Sequence, residues 1–115
     1  MENKPIIVND NTPELLSWFA ACVKLCDDYK AANGYDKIPS MAAEKLVISQ
    51  GTRYVKISRI GPSVNSVWAF VDRTNGDVLK PATWRAPAKH ARGNIFDTSN
   101  GMASMTSFGP AYLRG

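Results

Sequence analysis

The hydrophobic period of this chain changes once, near residue 45, and that change limits what it can fold into. Upstream, Leu15, Phe19, Cys22, Cys26 and Tyr29 recur at three- and four-residue steps. Leu16, Trp18, Val23 and Leu25 widen the stripe to about half of a helix circumference. Thr12 stands at the N-cap position, Pro13 at the first helical position and Glu14 in the first turn, while Asn33-Gly34 supplies a stop. A helix is therefore predicted over 13–33. Pro5–Val8 reads as an extended run ahead of it, and 35–44 as a loop with a short helical turn at 41–44.

Downstream the period becomes two. Strands are predicted at 45–50, 53–60, 66–73 and 77–82, separated by Gly51-Thr52, Gly61-Pro62-Ser63 and Thr74-Asn75-Gly76. Asn-Gly adopts the positive φ of tight turns, so the last is the strongest hairpin signal. The reading is α+β, a single domain over 1–115: one long N-terminal helix packed on a four-stranded antiparallel meander, followed by an irregular basic C-terminal arm. Phe19 and Val71 are expected in the core. The strand at 66–73 is apolar on both sides, with Val67, Ala69 and Val71 on one face and Trp68 and Phe70 on the other. Both faces must then be covered. The helix supplies one cover; the C-terminal segment, a second subunit or a ligand supplies the other. Residues 97–110, rich in Ser, Thr, Gly and Met, read as loop, with Phe108, Tyr112 and Leu113 tying the tail to the sheet.

A chain of 115 residues holds one compact core and no two-lobed cleft. No run reaches the roughly 18 apolar residues of a membrane helix, and the polar start lacks a signal-peptide h-region. Both point to a cytosolic protein. Cys22 and Cys26 lie on one helix face, where a disulfide fits poorly. They read as core thiols rather than half of a metal site, since no second Cys pair exists and the single histidine, His90, is remote.

Charge is divided unevenly. Residues 1–50 hold five Lys against seven Asp or Glu, and 51–115 hold nine Lys or Arg against three Asp. A basic half of this kind suits an anionic partner, although a plainly solvated basic face would look the same. The charge concentrates between Asp77 and Asp97, where Lys80, Arg85, Lys89, His90 and Arg92 accompany Trp84 with no acid among them. Interleaved cations and aromatics are the composition of a stacking platform for unpaired bases. The candidate ligand-binding residues are therefore Trp68, Lys80, Trp84, Arg85, Lys89, His90 and Arg92. By strand parity Tyr54, Lys56 and Ser58 share a face, and so do Lys80 and Trp84. The competing reading places Trp68 and Phe70 in the core, with the cations around the sheet edge.

Catalytic signatures are missing. There is no Walker loop, G-x-G-x-x-G, H-E-x-x-H or nucleophile elbow. Asp72 and Asp77 flank a turn, where aspartates bond to turn backbone. No catalytic residue, metal or cofactor is predicted, and an enzyme ranks behind two binding classes.

The run F-V-D-x-T-N-G-D-V-L-K-x-A-x-W-x-A-P-A-K-x-x-R-G-N-I, from Phe70 to Ile95, resembles a motif of small proteins encoded by tailed bacteriophages. The G-P-A-Y-L-R at Gly109–Arg114 is similar to the tail of the same proteins. The resemblance covers roughly the last two-thirds of the chain. It implies a phage accessory protein in the cytoplasm of an infected bacterium and carries over no mechanism. Two functions fit. One is a module binding single-stranded nucleic acid or a nucleotide phosphate. The other is an interaction factor that inhibits a host or anti-phage defence protein, or assembles with itself, through the apolar second sheet face.

Overall fold

A computed structural model describes residues 5–111. Its elements, in chain order, are helix α1 (Pro13–Ala32), a single 3-10 turn (Tyr35–Lys37), the short helix α2 (Pro39–Ala42) and strands β1 (Lys45–Gln50), β2 (Tyr54–Gly61), β3 (Val64–Asp72), β4 (Asp77–Pro81) and β5 (Pro87–Asn94). Two-residue strands β6 (Met105–Thr106) and β7 (Gly109–Pro110) close the segment after β5. The main sheet is a five-stranded antiparallel meander in the order β1-β2-β3-β4-β5. The α+β class, the long helix and the first four strands agree with the sequence. The fifth strand does not: the basic arm is not irregular but pairs with β4 as an edge strand. Pro87 occupies its first position, where a missing N–H costs no ladder bond.

The chain enters the fold through Ile7 and Val8, whose N–H groups both donate to the Arg73 carbonyl at 2.8 and 3.0 Å. Val8 is fully buried while Ile6 and Ile7 stay exposed. Thr12 stands at the helix boundary but does not cap it; its hydroxyl instead accepts from the Asn9 N–H at 2.9 Å. At the other end, the Asn33 amide donates to the Tyr29 carbonyl at 2.8 Å, and the helix stops there.

The core lies between α1 and one face of the sheet. Leu15, Trp18 and Cys22 of the helix meet Val55, Ile57, Ala69, Val71 and Val78 of the strands. Trp18, fully enclosed, takes the central place expected of Phe19, which is only half-buried against the cluster. Residues 97–111 cover the rest of the same face. Asp97 Oδ1 accepts from the N–H groups of Ser99 and Gly101 at 2.9 and 3.0 Å and from the Ser99 hydroxyl at 2.7 Å. The Gly101 and Ser99 bonds hold the Asp97 carboxyl below the usual aspartate range. That loop lays Gly101 against the Trp18 indole, and Met102 and Met105 continue the packing. The cysteines join this layer as free thiols. Cys22 is buried and 3.9 Å from the Met102 sulfur, and half-buried Cys26 donates to the Ser107 carbonyl. Phe108 is not tied to the sheet; it is 62% exposed and stands edge-on to Tyr29. Tyr112 and Leu113 lie outside the described residues.

One irregularity governs the rest. Between β2 and β3 the register slips, with Ile57 opposite Ala69 but Ser58 opposite Val67. Trp68 is the extra residue of a β-bulge. It therefore joins Ala69 on the helix side, buried in the core, and its ring N–H donates to the Ser107 carbonyl at 3.3 Å. Gly109 lies so close that a Cβ there would meet the Trp68 carbonyl oxygen at 2.5 Å, and its φ is 101°, so both space and backbone demand glycine. Strand parity had placed Trp68 beside Phe70 and Val67 beside Ala69, and the bulge exchanges both.

Candidate ligand-binding face

Among the described residues no helix lies over the second face of the sheet, and its own long side chains close it. Phe70 and Leu79, paired across β3 and β4, are 2% and 6% exposed. Tyr54 meets the Phe70 ring edge-on, with centroids 5.8 Å apart. Lys56, directly opposite Phe70 on β2, carries its ammonium 5.9 Å from the Phe70 centroid and 4.6 Å from that of Trp84. Arg53 lies 5.4 Å from the Tyr54 ring. Two cations thus lie against three aromatic rings on this face.

Trp84 reaches this line from the β4–β5 loop. The Ala82 and Thr83 N–H groups donate to the Ala86 carbonyl at 3.0 Å each, and the Thr83 hydroxyl accepts from the Arg85 and Ala86 N–H groups at 3.2 and 3.1 Å. The loop is thereby a closed turn that folds the indole back while leaving half of it exposed. Trp84 also walls an open groove of about 340 Å3 with Asn65, Ser66, Val67, Pro81, Ala82 and Thr83.

The residues singled out from the sequence divide into three groups. Trp84 and its neighbour Arg85 are at the loop, beside the face. Lys89 and His90 are exposed on β5. There Leu79 pairs with Ala91 and Pro81 with Pro87, so three residues of β5 lie opposite one of β4, and Lys89 and His90 among them are exposed. Trp68, Lys80 and Arg92 belong elsewhere. Trp68 is core. Lys80 donates to the Pro110 carbonyl at 2.9 Å and Arg92 to the Ala111 carbonyl at 3.0 Å, with a second Arg92 bond to the His90 carbonyl. Burial and then the charge of Arg92 lower the Lys80 pKa. These two cations hold the C-terminal segment by donating to its carbonyls. Lys80 and Trp84, aligned by parity, are separated by the turn between them.

Other second-half cations are also committed. Arg53 pairs with Asp72 at 3.1 Å, and Arg73 donates to the carbonyls of Val8, Gly51 and Thr52. Burial alone would raise the Asp72 carboxyl, but the bonds from Arg53 and from the Thr74 hydroxyl and N–H outweigh it and hold its pKa below the usual value. Asp77 accepts from the Asn94 amide at 3.0 Å. Both aspartates are thus turn anchors. Among the described residues, Lys56, Arg85 and Lys89 have no carboxylate within 4.0 Å. Lys56, Tyr54 and Phe70 are site members that the sequence selection left out. Their signal was present, since Tyr54 and Lys56 alternate on one strand face, but of the two β3 aromatics that parity put together, Trp68 was selected and Phe70 was not.

No helix among the described residues is long and apolar enough to cross a membrane. No curated protein and no solved structure matches the chain. Residues 8–111, which include every element described above, match the model of a family of unknown function, and the chain belongs to that family, DUF7717.

Proposed function

We propose that the uncovered sheet face binds single-stranded nucleic acid, as a small accessory protein of a tailed phage working in the host cytoplasm. The observation that carries this reading is Lys56, suspended between the rings of Phe70 and half-exposed Trp84 on a face no helix covers. An unpaired base stacks on the free side of the Trp84 indole, along the groove walled by Ser66, Val67 and Thr83. Lys56, Arg85 and Lys89 meet the phosphates. Arg92 and Lys80 act one step back by fixing the C-terminal segment, and Trp68 takes no part. The face offers stacking and charge but few directed hydrogen-bond donors, which favours binding without strong sequence preference.

The test is titration with a short oligothymidylate, read by tryptophan fluorescence. Trp18 and Trp68 are buried, so quenching reports Trp84. Three neutralised phosphates give a log–log salt slope of about −2, at roughly 0.7 each. The triple change of Lys56, Arg85 and Lys89 to Ala should flatten that slope. No quenching in about 50 mM salt, or a slope unchanged in the triple variant, rejects the reading. The same aromatic face would then be assigned to a host or defence protein.

A further inference from the structure

The other side of the sheet holds a second concavity. Between the C-terminal half of α1, α2 and the start of β1 lies a cavity of about 310 Å3. That is about twice the ~150 Å3 cavity that admits a benzene ring, so two fused rings fit. Val23, Met41 and Leu46 give it apolar lining. Three aromatic rings line it in a row: Tyr35 lies 5.9 Å from Tyr29, and Tyr29 lies 5.2 Å edge-on from Phe108. The Cys26 thiol lines it too, but burial raises its pKa and it donates to the Ser107 carbonyl, so it is a neutral wall rather than a nucleophile.

The polar groups are unequally satisfied. The Lys30 ammonium is held by the Glu44 carbonyl. Arg59, opposite Leu46 on β2, has its Nε buried with no hydrogen-bond partner among the described residues. The nearest acid, Glu44 Oε1, is 3.7 Å away, beyond hydrogen-bond length. Three cations (Lys30, Lys45 and Arg59) line the cavity against two acids (Asp27 and Glu44). The Arg59 side chain nevertheless stays 35% exposed and lines the cavity, so its guanidinium can receive a ligand carboxylate in a charge-assisted bond. We propose that this cavity binds a small bicyclic aromatic carboxylate, its rings among Tyr29, Tyr35 and Phe108 and its carboxylate on the Arg59 guanidinium. The site is separate from the Trp84 face and independent of what that face binds.

The probe is 2-naphthoate, with 2-naphthamide as its neutral match, followed by amide NMR on the whole chain. Naphthoate should give saturable shifts at Tyr29, Tyr35, Ser107 and Phe108, and naphthamide should bind about tenfold more weakly. Arg59→Met keeps the aliphatic stem and should reduce naphthoate to the level of naphthamide, leaving naphthamide unchanged. Phe108→Ala, at an exposed ring, should weaken both. If Arg59→Met does not fold, the naphthoate-to-naphthamide ratio in the unaltered protein decides. Shifts confined to the Trp84 face, equal affinity for both probes, or unchanged naphthoate binding in folded Arg59→Met each overturn the assignment.

Discussion

The two faces of this sheet are closed by different means. On one, Leu15, Trp18 and Cys22 from α1 and Met102 and Met105 from the far end of the chain bury Ala69, Val71 and Val78. On the other, Phe70 and Leu79 are almost as inaccessible, yet their cover is Tyr54, Lys56 and Trp84, side chains of the sheet and its own loop. The first face is sealed by separate elements and has little room to change. The second is sealed by groups that are themselves half exposed, and a ligand can replace or extend them. Equal burial of Phe70 and Val71 therefore describes two different situations: one is core, and the other is the floor of a surface.

The largest test of that contrast is Trp18→Ala, which should cost about 3–5 kcal/mol in chemical denaturation through lost burial and the cavity left behind. Trp84→Ala should alter stability by no more than about 1 kcal/mol, the cation–π contribution at an exposed site. It should weaken oligothymidylate binding by about 1–3 kcal/mol, the worth of one stacked base. If Trp84→Ala unfolds the protein as Trp18→Ala does, the two faces are equivalent and the contrast fails. Arg92→Ala should cost about 1–2 kcal/mol of stability, since it strands the Ala111 carbonyl. Lys89→Ala should stay within about 0.5 kcal/mol in the same assay. The reverse order would return Arg92 to the ligand and Lys89 to the frame.

The last effect concerns pH. The Asp72 carboxyl is held below its ordinary value in the folded chain, so its contribution is complete above the unfolded pKa of about 3.9 and is lost as pH falls through the folded value. Asp72→Asn should therefore be less stable than the parent at neutral pH, and the two should converge as the pH falls through the lowered folded value. Arg53→Ala, at the exposed partner, should cost under about 1 kcal/mol. A constant gap between Asp72→Asn and the parent down to low pH would show that the carboxylate charge is not what the turn uses.

Periodicity was enough to locate α1 and the first four strands, because each is an apolar stripe or run bounded within a few residues by Gly, Pro or Asn. It failed at β5. Pro87, Gly93 and the run of Lys, His and Arg argue locally against a strand, and pairing with β4 overrides them only by admitting two register slips. It failed again at Trp68, where one extra residue in β3 reverses the parity that had joined Trp68 to Phe70. The site was half legible. Trp84, Arg85 and Lys89 are exposed cations and an aromatic, as composition suggested. Arg92 and Lys80 look the same in sequence, and only the position of the Pro110 and Ala111 carbonyls turns them inward. Phe19 and Trp18 are adjacent on one helical stripe, and which one sits at its centre depends on where Gly101 docks.

The slips in β5 also bear on crowding. A sheet with two free rims invites further strands from other molecules. At β5 the rim begins with proline, breaks register twice and carries Lys89, His90 and Arg92, so a foreign strand finds neither a regular ladder nor a neutral one. At β1 all six residues keep strict register with β2, and among the described residues their outward N–H and C=O groups have no backbone partner. Strand addition is closed on one rim and open on the other. Any strand added at high concentration is therefore expected at Lys45–Gln50, far from the basic strand that first draws attention.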